Sequence, residues 1–179
     1  MKIKTLFYLL LVVLVTNGSS CVNDGFLIAV DFPIQSTYNI NAGPNTGFGG
    51  TVTVKATDKL GTAYQDNIKN VRYFDIRVAV NGAYTGSVSG SSFVNGKKLL
   101  DFSGLWSDFS IPQSLLGSST HITPQPAGTT ELMNVLNSLS SNPQATVVLS
   151  ASGNVSQGPV PAGLSVTVTI YAQADSQVK

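Results

Sequence analysis

Residues 73 to 82 read Tyr-Phe-Asp-Ile-Arg-Val-Ala-Val-Asn-Gly, and their alternation sets the fold class. Phe74, Ile76, Val78 and Val80 share one face; Tyr73, Asp75 and Arg77 share the other. A period of two belongs to a half-buried β-strand. Asn81-Gly82 follows, a dipeptide that tolerates positive φ and signals a hairpin, with Ala83 to Val88 as the expected return strand. Working outward, Thr51 to Thr57 (TVTVKAT) alternates in the same way, and so does Leu164 to Ala172 (LSVTVTIYA). Phe26 to Phe32 and Ala145 to Ala151 are short apolar runs that fit strands. Asn95-Gly96 is a second hairpin signal, between Ser92–Val94 and Leu99-Leu100.

One segment carries a different period. Leu132, Val135, Leu136 and Leu139 fall at i, i+3, i+4 and i+7, the stripe of an amphipathic helix. Thr129 or Thr130 is the expected cap, Glu131 lies near the positive end, and Asn142-Pro143 stops the helix. A helix of about ten residues does not hold alone and must dock on a sheet. Phe102 to Pro112 is rich in apolar side chains and fits neither period; it reads as a segment covering one end of the core. Asn41 to Gly50 reads as a turn-rich loop, and Gly153 to Gly163 as a long hairpin connection. The expected fold is all-β: an antiparallel β-sandwich, Ig-like or similar, with one short crossover α-helix near residues 130–140.

The amino terminus has its own pattern. Lys2 and Lys4 precede Leu6 to Val15 (LFYLLLVVLV), ten apolar residues, and then Thr16 to Ser20. Such a run gives about 15 Å of helix, half of the roughly 30 Å that spans a bilayer, so it reads as a signal peptide rather than a permanent anchor. The stretch Asn17-Gly18-Ser19-Ser20-Cys21 resembles the lipobox of bacterial lipoproteins. Ser19 and Ser20 match the small residues before the cysteine; Gly18 stands where Leu or Val is usual. The resemblance implies acylation of the Cys21 thiol and cleavage just before it. The same stretch also satisfies ordinary secretory cleavage after Ser20, which would leave Cys21 a free thiol. Val22 is not the Asp that retains lipoproteins in some inner membranes, which points to the outer membrane. The expected organisation is a signal peptide (1–20), a lipidated tether (21–25), a single sandwich domain (26–174) and a C-terminal tail (175–179).

Composition narrows the functional classes. Charged residues are 11% of the 179, and the chain holds a single cysteine, which excludes an intrachain disulfide. Residues 21–179 carry eight Lys and Arg against nine Asp and Glu. No basic cluster of the kind nucleic acid requires is present, so no nucleic-acid partner is expected. His121 is the lone histidine, which rules out zinc sites of the usual His/Cys kind. No nucleophile elbow, Walker or dinucleotide motif occurs, and no cofactor, metal or catalytic residue is assigned. Asp101 and Asp108, beside Trp106, are the one pair that would suit glycoside hydrolysis. Tyr38, Tyr64, Tyr84 and Trp106 are candidates for a sugar-stacking platform; Tyr84 and Trp106 are carried forward as ligand-binding residues, though apolar neighbours favour burial of Trp106. The resulting expectation is an exported cell-envelope lipoprotein, held to the membrane through lipid on Cys21, with a non-enzymatic role on the bacterial surface or in the periplasm, either structural or binding a protein or glycan ligand. A carbohydrate-active enzyme and a pilus-type assembly subunit are the alternatives.

Overall fold

The computed structural model describes residues 26–65, 67–117, 119–156 and 159–178. The chain runs β1 (Phe26–Asn39), β2 (Gly47–Lys55), a single helical turn α1 (Thr62–Gln65), β3 (Ile68–Asn81), β4 (Ser87–Val94) and β5 (Lys97–Leu105). It continues through a 3-10 helix (Trp106–Phe109), β6 (Gln113–Ser114), β7 (Ile122–Pro124), α2 (Pro126–Ser138), β8 (Thr146–Val155) and β9 (Ser165–Val178). Two antiparallel sheets result, in the orders β1-β9-β3-β6 and β2-β8-β4-β5-β7. Successive long strands mostly change sheet, so each sheet is sewn from remote parts of the chain. This is an all-β antiparallel sandwich, and its strand order is that of a jelly roll.

The inward rows fill the space between the sheets. Phe32, Ile34, Ile76, Val78, Val166, Val168 and Ile170 come from one sheet; Val88, Leu100, Phe102, Val147 and Leu149 come from the other. All are buried, as their alternation requires. The helix stripe behaves as expected: Leu132, Val135, Leu136 and Leu139 are buried, and α2 packs on β5, β3 and β4 to close one end of the core. It starts earlier than expected, with Gln125 at the N-cap position and Pro126 in the first turn. No threonine caps it, because proline's fixed φ already suits the first helical position. Glu131 therefore lies in the second turn, where it accepts a hydrogen bond from Asn95 Nδ2 at 2.8 Å.

Several expectations are corrected. Asn81-Gly82 closes no hairpin: β3 pairs with β9 and β6, whereas β4 belongs to the facing sheet. Gly82, at φ +94°, turns the chain across the sandwich. Residues 153–163 likewise cross between sheets, since β8 pairs with β2 and β4 and β9 with β1 and β3. The alternation of β3 slips at a β-bulge between Tyr73 and Asp75, leaving Phe74 on the surface; Asp75 keeps the expected outer face but is buried there. Gly47–Gly50, expected as loop, pairs with Ala151–Asn154 as the first part of β2, and Phe48 is drawn into the core beside Phe102. The glycines are tolerated there because β2 is an edge strand. Pro33 does not end β1, because β1 is also an edge. At the other terminus β9 runs to Val178, so residues 175–178 are strand rather than tail. Asn95-Gly96 does close a hairpin, with φ +48° and +77°, between β4 and β5.

Candidate functional site

Alternation along β5 sends Leu100 and Phe102 inward and leaves Asp101 and Ser103 on the outer side, beside Thr123 of β7. The loop before β7 adds Thr120 and His121. Together they line a shallow groove of about 100 Å³. That is below the 300 to 1,000 Å³ of a typical small-molecule site and suits a single hydroxyl or a few waters.

The groove's charged groups are engaged with their own chain. Asp101 accepts from Ser91 Oγ at 2.5 Å, from Gln125 Nε2 at 2.8 Å and from Lys98 Nζ at 3.1 Å. The Ser91 hydrogen bond, with help from Lys98 and Gln125, holds the Asp101 carboxyl below the usual carboxylate range against a smaller opposing effect of burial. Asp108 accepts the backbone N–H of Leu105 at 2.8 Å, which fixes the start of the 3-10 helix. His121 Nε2 stands 3.8 Å from the same Asp108 oxygen, and its Nδ1 is 3.2 Å from the Ser103 carbonyl. The imidazole meets the Phe109 ring edge-on, at 5.8 Å between centroids. Asp101 and His121 thus share the groove, while Asp108 reaches it through the imidazole. Each carboxylate is committed to a structural hydrogen bond, and the arrangement presents polar groups rather than a nucleophile poised against a base. Among the described residues no three His, Cys, Asp or Glu side chains gather as a metal ion would require.

The aromatic candidates divide. Trp106 is 3% exposed, so it offers no open ring face for a sugar. Its Nε1 donates to the Gly82 carbonyl at 2.8 Å and its backbone N–H to the Gly86 carbonyl at 2.8 Å, bracketing the β3–β4 crossing. Tyr84 lies inside that bracket, half-buried and edge-on to Trp106 at 5.4 Å. Tyr38 is buried and Tyr64 packs against the core. Cys21 lies outside the described residues.

A second cluster escaped the sequence reading. Asp75 is 2% exposed on the outer side of β3. It accepts from Arg77 Nε at 2.6 Å, Ser114 Oγ at 2.8 Å and the Leu116 N–H at 3.4 Å. Burial pushes its pKa up; the hydrogen bonds from Arg77, Ser114 and Leu116, with the charge of Arg77, outweigh it, and the carboxyl ends below its ordinary value. The Arg77 guanidinium lies 4.8 Å from the centre of the Tyr171 ring, and Phe74 approaches the same ring at 6.1 Å. Asp and Arg two apart on a strand share a face, and that spacing was the available signal. The spacing does not show the cover that buries the pair, because Ser114 and Leu116 come from β6 and the residues after it.

No protein-family model matches the chain, and no curated protein matches it. Solved structures do align with it. Turnip yellow mosaic virus aligns at 10% identity, covering 86% of this chain and 96% of that one, with a TM-score of 0.43. Desmodium yellow mottle tymovirus gives 11% identity, 86% and 84% coverage and a TM-score of 0.39. Tobacco necrosis virus gives 10%, 84%, 98% and 0.37.

Proposed function

We propose that this chain is a cell-envelope lipoprotein, anchored at the outer membrane through acyl chains on Cys21, whose sandwich is a non-enzymatic binding or structural module. The observation that carries the reading is the order of the amino terminus: two lysines, ten apolar residues, then Ser19-Ser20-Cys21. Two or more acyl chains suffice for stable anchoring, whereas one is marginal. The commitment of Asp101 and Asp108 to intramolecular hydrogen bonds favours binding over hydrolysis. For a protein or glycan ligand, the Phe74–Tyr171–Arg77 stack on the outer sheet face has the aromatic and arginine make-up of interface hot spots.

Metabolic labelling with a fatty-acid precursor tests the anchor. Label is expected on the wild type and absent from Cys21→Ala, which should also leave the membrane fraction. An unlabelled wild-type protein with a free Cys21 thiol would overturn the reading.

A further inference from the structure

The amino-terminal end of β1 exposes three consecutive large apolar side chains: Phe26 at 82%, Leu27 at 66% and Ile28 at 41%. From this end we infer that the first turn of sheet, Phe26–Ile28, is a membrane-contacting edge that seats the sandwich on the phospholipid bilayer surface. The inference rests on the acylation of Cys21 proposed above.

Strand geometry favours a bilayer over a protein partner. Successive side chains on a strand point to opposite faces. Leu27 shares the outer face with Asp31 and Pro33, while Phe26 and Ile28 point to the inner side, beyond the end of the core. A partner docked on one face would leave the other wet. An apolar medium that surrounds the strand end covers both. Edge strands of soluble proteins are usually blunted by charge, yet the nearest charge along β1 is Asp31, which accepts from Gln173 Nε2 at 2.7 Å. On the neighbouring strand Asp175 is taken by Arg72 at 3.1 Å. Lys69, exposed at the start of β3 on the same end of the sheet, is placed to reach anionic headgroups.

Distance agrees. Five peptide units separate Cys21 from Phe26, about 18 Å when fully extended. An acylated Cys21 therefore keeps Phe26 within reach of the headgroup layer, and contact there removes three apolar side chains from water.

The test uses the full chain, purified from membranes and reconstituted in vesicles of phosphatidylethanolamine and phosphatidylglycerol. Mass spectrometry of the amino-terminal peptide first reads the acylation state of Cys21. A thiol-reactive, polarity-sensitive dye is then placed at Leu27→Cys, with Gln35→Cys, exposed further along β1, as reference. The expected result is a blue shift and quenching by brominated lipid at position 27, with neither at position 35. An acylated protein whose two labels are equally wet overturns the inference and leaves the anchoring reading intact. Shielding at position 27 that follows protein concentration and ignores brominated lipid assigns the edge to a second copy, and also overturns it. An unacylated Cys21 overturns the anchoring reading and this inference with it.

Discussion

Two Asn-Gly dipeptides of the sandwich look alike in sequence and do opposite things. Asn95-Gly96 joins neighbouring strands of one sheet. Both residues have positive φ, and the strands on either side pair with each other; Asn95 also bonds the backbone of Val148 on β8 through its N–H and its side-chain oxygen. Asn81-Gly82 ends β3 and sends the chain to the other sheet. Only its glycine has positive φ, and its carbonyl is held by Trp106, 24 positions away. The β3 segment that leads there also carries the bulge at Phe74 and the buried Asp75, whose partners Ser114 and Leu116 are about 40 positions away. One turn joins strands that pair with each other; the other joins strands that lie in different sheets.

Breaking the remote contacts of β3 should cost the most. Asp75→Ala removes a carboxylate that serves Arg77, Ser114 and Leu116 at once, and is expected to lower stability by about 3 kcal/mol in urea unfolding, since charge-assisted hydrogen bonds are worth roughly 1.5 to 3 each and their loss strands buried donors. The pH dependence has a definite sign. The folded carboxyl has a depressed pKa, so its stabilisation is fully present above the ordinary value of 3.8 and fades as pH falls through the folded value. Asp75→Asn should lack that component: below the ordinary value its stability should fall less steeply than the wild type's in the same titration.

Crossing the sandwich at Gly82 comes next. A methyl group there would stand 2.6 Å from Leu164 Cδ2 and 2.9 Å from the Gly163 carbonyl oxygen, at a φ of +94°. Gly82→Ala is expected to cost about 2 to 3 kcal/mol, combining left-handed strain with overpacking. Calorimetry on the variant measures it; a neutral result would mean the arch has slack that the contacts do not suggest.

These effects mark where the sequence was legible. The period-two rows of β9 and the helical stripe on α2 were readable because burial acts on each element separately, whatever it packs against. The Asn95-Gly96 hairpin was readable because the two strands it joins are neighbours both in sequence and in the sheet. The bulge at Phe74 left no local mark, since Tyr73 to Val80 alternates without a break in chemical type; only pairing with β9 sets the slip. The same gap hid the candidate cluster: Asp75 was placed on the solvent side because its cover, Ser114 and Leu116, comes from β6 and the residues after it. Trp106 was legible as an apolar residue, but its service to the Gly82 carbonyl was not. The glycines of Gly47–Gly50 predict a loop, yet the segment is strand because β8 offers it a pairing edge.

Trp106→Phe sharpens the contrast without altering the backbone. Phenylalanine keeps most of the ring and loses the Nε1 donor, leaving the Gly82 carbonyl without its 2.8 Å bond. A loss of about 1 to 2 kcal/mol is expected. In hydrogen exchange the loss should appear as faster opening of residues 82–88 with little change at the Asn95-Gly96 hairpin, because the two turns draw on different partners.

The smallest effect belongs to the local turn. A methyl group at Gly96 meets nothing within 4 Å, so Gly96→Ala carries only the cost of an L-residue at φ +77°. About 1 kcal/mol is expected, with the β4–β5 register unchanged, since eight paired residues on each side of the turn hold it. Denaturation of Gly82→Ala and Gly96→Ala side by side isolates the comparison: both glycines sit at positive φ, and what the added methyl touches is the main difference. Equal losses would mean that backbone strain alone governs both turns, and that the crossing at Gly82 owes nothing to Leu164 and Gly163.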